Sequence, residues 1–184
     1  MEHELDVYLF HRGEHREAYN YMGAHLTKNS VIFRVWAPHA KSIAVVGDFN
    51  GWNGNEHMMK RINNEGIWEL EIQDIKKLEK YKYKIESADG RIEMKADPYA
   101  FFSEMRPNTA SVVYDIPKFK WADKRWLNKR TTGLDKPINI YEVHLGSWKR
   151  GIHGEWLNYR DSAIMLAEYL KEMNYTHIEI MPIN

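Results

Sequence analysis

Within residues 66–72 the chain reads Gly-Ile-Trp-Glu-Leu-Glu-Ile, placing Trp68, Leu70 and Ile72 on one side of an extended backbone and Glu69 and Glu71 on the other. A period of two is the side-chain spacing of a β-strand with one wet face and one dry face. The same alternation recurs in residues 31–36 and 80–86, and the stretches between carry turn signals: Ala37-Pro38, the run from Asp48 to Trp52, the run from Asn63 to Gly66, and Asp89-Gly90. Shorter extended segments are expected at 42–46, 91–95 and 111–114. About six half-buried strands at this spacing predict an antiparallel, immunoglobulin-like β-sandwich over residues 28–115. Hydrophobic residues make up 43% of the 184 and aromatics 13%, enough apolar surface to offset the entropy of ordering the chain.

The pattern lapses over 116–137. From Asp115 to Pro137 stand seven basic residues (Lys118, Lys120, Lys124, Arg125, Lys129, Arg130, Lys136), three acidic ones (Asp115, Asp123, Asp135), and Trp121 and Trp126. Basic residues interleaved with Trp can form a surface for single-stranded nucleic acid. Lys plus Arg and Asp plus Glu number 26 each, however, so the chain as a whole carries no net charge to steer it toward nucleic acid or an anionic membrane. The reading is a linker pinned by two Trp anchors, with no nucleic-acid or membrane partner. After Pro137 a strand is expected over 138–145. A helix should follow, capped by Asp161 or Ser162, with Ala163, Leu166, Ala167, Leu170 and Met173 on one face. Asn174 should end it in the left-handed conformation, and 177–181 forms a second strand. This is one βαβ unit with parallel strands, and parallel sheets are covered on both faces and contain more than two strands. Residues 138–184 therefore read as the start of a larger α/β domain, and 1–27 as an N-terminal segment. Residues 1–20 carry charges throughout, and no apolar run nears the ~20 residues of a membrane span, so neither a signal peptide nor a transmembrane helix is expected.

Signatures of catalysis are sparse. Cysteine is absent, which excludes a disulfide scaffold, thiolate zinc sites and a Cys nucleophile, and is compatible with a reducing cytoplasm. There is no nucleophile elbow, phosphate-binding glycine loop or His-Glu-x-x-His motif. His11 and His15 have the spacing of metal ligands on a helix, but Gly13 lies between them in a segment without helical periodicity, so no metal is expected. The informative element is Gly47-Asp-Phe-Asn-Gly-Trp52, which sets an aromatic just after a tight Asn-Gly turn at the edge of a sheet. A flat exposed ring there suits the apolar C–H face of a hexose, with Asn50 or a nearby lysine serving the hydroxyls. A Trp52 folded back over the core is the alternative. For Lys82 the alternative is cross-strand charge pairing, since Lys80, Lys82 and Lys84 share one strand face and Glu69 and Glu71 one face of the preceding strand.

The segments Asp6-Val-Tyr-Leu-Phe-His11, Phe33-Arg-Val-Trp-Ala-Pro38, Gly47-Asp-Phe-Asn-Gly-Trp52, Lys95-Ala-Asp-Pro-Tyr-Ala100, Arg106-Pro-Asn-Thr-Ala-Ser-Val-Val113, Tyr141-Glu-Val-His-Leu-Gly-Ser-Trp148 and Tyr175-Thr-His-Ile-Glu-Ile-Met-Pro182 stand in this order along the chain. Together they resemble the bacterial glycogen branching enzymes over essentially the whole length. The resemblance implies a sandwich of carbohydrate-binding family 48, a linker, and the first βαβ of a (β/α)8 barrel of glycoside hydrolase family 13. It implies cleavage of α-1,4-glucan and transfer of the segment to a 6-hydroxyl, in the cytoplasm. The partners implied are α-1,4-glucan or glycogen and the remainder of the catalytic barrel. Trp52 matches the first of the two sugar-holding Trp residues of such modules, and Lys82 the lysine. Arg91, Ile92 and Glu93 stand where the second Trp belongs, so weak glycan binding is expected. The family's three catalytic carboxylates lie on later barrel strands, and Glu142 and Glu179 do not match them. A glycan-binding module without catalysis and a purely structural sandwich are the other two readings.

Overall fold

The computed structural model describes residues 4–116, 120–130 and 135–183. The chain divides into two compact units, Met1–Phe119 and Lys120–Asn184. Lys118 and the stretches 117–119 and 131–134 of the expected linker lie outside the described residues.

In the first unit the period-two segments become strands: β1 (Gly23–Leu26), β2 (Ser30–Trp36), β3 (Ala40–Gly47), β4 (Lys60–Arg61), β5 (Ile67–Gln73), β6 (Lys80–Ser87), β7 (Ile92–Lys95), β8 (Phe102–Ser103) and β9 (Ser111–Val112). All the pairings among them are antiparallel. One sheet has the order β1-β2-β5-β4. The other runs β3-β6-β9-β8, with β7 alongside the second half of β6. Alternation decides which side chains meet: Val31, Phe33, Val35, Trp68 and Ile72 from the first sheet join Ile43, Val45, Tyr81 and Tyr83 from the second in one buried cluster. Phe33 and Tyr81 pack edge to face, ring centroids 5.0 Å apart, in this cluster.

This topology removes one sequence expectation. Because β5 and β6 belong to different sheets, Glu69 and Glu71 do not face Lys80, Lys82 and Lys84. Glu69 instead accepts from Arg34 Nε at 2.6 Å, and Glu71 accepts from Ser30 Oγ. A helix the alternation did not announce, α1 (Glu4–His11), precedes the strands. Its Val7 and Phe10 pack with Tyr21, Met22 and Ile67. His15 meets Asp6 at 2.9 Å, and His11 meets Asn63 and Glu65. Among the described residues no group of three or more His, Cys, Asp or Glu could hold a metal ion.

A buried carboxylate ties together the strands of the second sheet. Asp97 is 6% exposed. Its Oδ2 accepts from Tyr81 Oη at 2.6 Å and Tyr83 Oη at 3.2 Å, its Oδ1 accepts from the Tyr99 amide at 2.8 Å, and its own amide donates to Ser111 Oγ. Burial raises the Asp97 carboxyl above the usual carboxylate range, and the three hydrogen bonds work against that rise.

In the second unit, short helix α2 (Lys124–Leu127) carries the expected linker residues, and Trp121 and Trp126 are 74% and 61% exposed. Strand β10 (Ile140–Val143) ends two residues sooner than expected, because α3 (Leu145–Trp148) follows at once. Helix α4 (Tyr159–Glu172) is capped by Asn158, whose side chain accepts from the Arg160 and Asp161 amides, not by Asp161 or Ser162. Its inward face is also rotated from the expected one. Ser162 and Leu166 are buried, while Ala163 and Ala167 are exposed, since the ring of Tyr169 stacks with Tyr141, Tyr175 and Trp148 and sets the helix's rotation. Asn174 has φ 58°, and β11 (His177–Ile180) pairs with β10 in parallel.

Replacing Asp97 with Ala leaves the buried Tyr81 hydroxyl without its acceptor and the Tyr83 hydroxyl with only the Arg34 carbonyl oxygen at 3.4 Å, an expected loss of about 1–3 kcal/mol. The sign of its pH dependence also follows. With the folded carboxyl raised above its unfolded value, the folded state binds more protons between the two, so this group's stabilisation falls as pH rises through that window. Denaturant melts from pH 4 to 7 should show that fall in the native chain and its absence in Asp97→Asn.

Candidate functional site

Alternation along β6 sends Tyr81 and Tyr83 into the core and Lys80, Lys82 and Lys84 to the outer face of the second sheet. Across from Lys82 stands Val46, and the chain leaves β3 one residue later at Gly47. A single 3-10 turn, Asp48–Asn50, follows. Gly51 and then Trp52 take left-handed backbones, φ 57° and 63°. The positive φ is natural for Gly51 and costly for Trp52, roughly 1–2 kcal/mol for a residue with a Cβ. The Trp52 amide donates to Gly47 O at 2.9 Å, closing the turn, and the indole Nε1–H donates to Asp48 Oδ1 at 3.1 Å. The ring stays 38% exposed and outside the core cluster, so it does not fold back over the core.

The return path lies on the outer face. Gly54 sits so close that a Cβ there would come within 2.6 Å of Ala44 Cβ and 2.9 Å of Val46 Cγ1. Only glycine lets the loop cover these two small outward residues, which is why Val46 is buried on the solvent side of its sheet. Trp52 and Lys82 are thereby held at the same end of one sheet. Lys82 Nζ donates to Thr109 Oγ1 at 2.7 Å, and Lys80 pairs with Glu104 at 3.0 Å. That pairing, through its hydrogen bond and charge, raises the Lys80 ammonium and lowers the Glu104 carboxyl.

Asn50 has a different place from the one expected. Its Oδ1 accepts from the Gly47 amide, and Nδ2 serves both Val45 O at 2.9 Å and His57 Nδ1 at 2.8 Å. With both amide hydrogens spent inside the loop, Asn50 holds the turn that presents Trp52. Two neighbours were not read from sequence. Thr109 orients Lys82 from 27 residues away, and Phe49, Asn50, Asn53, Asn55, Glu56 and His57 line a pocket of about 320 Å³ beside the turn. The crowding of asparagines after residue 49 was the available signal for the pocket; nothing in the sequence marked Thr109. Glu142 and Glu179 belong to the second unit.

Residues 21–100 match the family described as Carbohydrate-binding module 48 (Isoamylase N-terminal domain). The chain is 61% identical over 184 residues to the 1,4-alpha-glucan branching enzyme GlgB of Fusobacterium nucleatum, covering 100% of this chain and 30% of that protein. It is 46% identical over 184 residues to the corresponding enzyme of Bacillus subtilis, 97% of this chain and 29% of that one. It thus spans less than a third of the curated relatives it matches. Among solved structures it is similar to the type I pullulanase of Bacillus subtilis complexed with maltose, with TM-score 0.61, 23% identity, and coverage of 89% of this chain and 24% of that chain. It is also similar to PulA of Klebsiella pneumoniae, with TM-score 0.63, 23% identity, and 90% and 18% coverage. At that identity the likeness is one of fold.

Replacing Trp52 with Gly removes the ring and relieves the left-handed backbone together. Thermal melts should show stability unchanged or raised by up to about 1 kcal/mol. A ring that sealed the core would instead cost about 3 kcal/mol or more.

Proposed function

The chain carries a carbohydrate-binding module 48 domain within a sequence that corresponds throughout to the N-terminal part of 1,4-alpha-glucan branching enzymes, and from that premise we propose that it is the glucan-holding portion of such an enzyme. The whole enzyme would cut an α-1,4-glucan and pass the excised segment to a 6-hydroxyl, making α-1,6 branches in glycogen. Retention through a glycosyl-enzyme intermediate is the general logic of such a transfer. In this reading the module extends over 28–115, the segment 116–137 links it onward, and 138–184 forms the first βαβ of a (β/α)8 barrel whose remainder is its partner. The setting is the cytoplasm, as the resemblance implies; among the described residues no helix is long and apolar enough to cross a membrane.

The observation that carries the reading is the exposed Trp52 ring held in a left-handed backbone just past the end of β3, where Val46 stands across from Lys82. Strain at a position the surrounding loop over-determines is the usual mark of a site under functional demand. A glucose ring would lie on the indole face, with the Lys82 ammonium, oriented by Thr109, donating to hydroxyls. Asn50 contributes by fixing the turn. With Arg91, Ile92 and Glu93 where a second Trp would stand, one aromatic carries the contact, and affinity for maltoheptaose in the millimolar range is expected.

Titration of maltoheptaose by NMR should show Trp52→Ala weakening binding about five- to hundred-fold, the effect of losing roughly 1–3 kcal/mol of stacking and buried area. The 184-residue chain, incubated with amylose, should bind it and form no new α-1,6 ends. Unchanged binding in the variant would favour the purely structural reading of the sandwich. Branching above a blank would contradict the assignment of the catalytic carboxylates to the rest of the enzyme.

A further inference from the structure

Directly beside Trp52, the chain makes a pocket that a platform for the interior of a glucan has no use for. Phe49, Asn50, Asn53, Asn55, Glu56 and His57 line a half-open pocket of about 320 Å³, at the low end of the ~300–1,000 Å³ of small-ligand sites, the size for a single small ligand. Asn53 follows Trp52 immediately, and its amide donates to Asn50 O at 3.1 Å, fixing the pocket's near wall to the turn that carries the ring. Asn53 Oδ1 accepts from the Asn55 amide. Phe49 supplies an apolar wall, edge-on to His57 at 5.6 Å. His57 Nδ1 is taken by Asn50, which leaves Nε2–H as its donor.

The lining also decides what kind of ligand fits. Among the described residues no hydrogen bond or ion pair engages the Glu56 carboxylate. A lone carboxylate among amides disfavours a phosphate or other anion, and with no metal-holding cluster among the described residues a cation lacks the ligand set it needs. What remains is a neutral polyhydroxyl group, for which amide N–H groups, an imidazole N–H and a carboxylate supply donors and acceptors together. An interior residue of an α-1,4-glucan has both O1 and O4 tied into glycosidic bonds and must continue in two directions. A terminal residue continues in one and offers a free hydroxyl at its end.

We propose that this pocket takes a terminal glucose of an α-glucan whose next residues lie on Trp52, so that the site reads chain ends. The proposal rests on Trp52 being the glucan platform. The Glu56 carboxylate accepts hydroxyl hydrogens of the terminal sugar, and Asn55 donates to its oxygens.

The test sets maltoheptaose, which has ends, against β-cyclodextrin, a ring of seven α-1,4-linked glucoses with none, each titrated into the 184-residue chain by NMR. Native protein should bind the linear sugar more tightly. Glu56→Ala should weaken maltoheptaose binding about tenfold, the weight of one hydrogen bond to a charged group, and leave the ring's affinity unchanged. Asn55→Ala should act in the same direction, and melts of both exposed-site variants should match the native chain. Trp52→Ala should weaken both ligands. If it does, but Glu56→Ala and Asn55→Ala leave the linear-to-cyclic ratio where it was, the pocket proposal is overturned and the platform stands. If Trp52→Ala weakens neither ligand, the platform fails and the pocket proposal goes with it.

Discussion

The carboxylate of Asp97 governs how the sandwich is assembled. It is the acceptor on which Tyr81 and Tyr83 converge, and through the amide of Tyr99 and the hydroxyl of Ser111 it ties β6 to the crossing segment after β7 and to β9. Two tyrosines two residues apart cannot both reach one buried acceptor unless β6 is extended and its odd residues face inward. That requirement sends Lys80, Lys82 and Lys84 outward. The orientation of the candidate sugar-facing lysine is therefore a consequence of a hydrogen bond on the other side of the sheet. A buried carboxylate costs desolvation, and Asp97 is tolerated because three donors meet it.

The turn after β3 exploits the surface so formed. Asn50 locks the turn from inside, Gly51 and Trp52 reverse the backbone, and Gly54 lets the loop lie against Ala44 and Val46. The loop is thus rigid on its inner side and presents an aromatic ring and a polar pocket on its outer side. Rigid placement of few groups suits recognition of a flexible, neutral polymer, because little ordering of the protein remains to be done on binding.

The strands with clean alternation were legible: β2, β5 and β6 fall where the period-two pattern put them, because a half-buried strand writes its burial into every second residue. Elements of two residues, such as β4 and β8, are too short to show a period, and α1, with Leu5, Val7, Tyr8, Leu9 and Phe10 spread around it, marks no single face. Pairing was not legible either. Nothing in 67–73 and 80–87 says that consecutive strands lie in different sheets, and the supposed charge pairs between them dissolved with the hairpin. The α4 cap was misplaced by three or four residues because Asn158, Asp161 and Ser162 are all capping residue types, and its face was misplaced because an aromatic cluster around Tyr169 outweighed the alanines. At the candidate site, the turn and Trp52 could be read from Asn50-Gly51 alone. Asn50's inward commitment, Thr109 and the pocket could not, since they depend on contacts across the fold.

Seven tryptophans give seven indole N–H probes distributed over both units, and they offer the most direct view of where a glucan sits. In a 1H–15N spectrum of the labelled chain titrated with maltoheptaose, the account predicts that the Trp52 indole resonance moves most, together with the amides of Lys82 and Thr109, while the indoles of Trp121, Trp126 and Trp156 stay in place. Movement confined to those other rings, with Trp52 unchanged at saturating sugar, would contradict it.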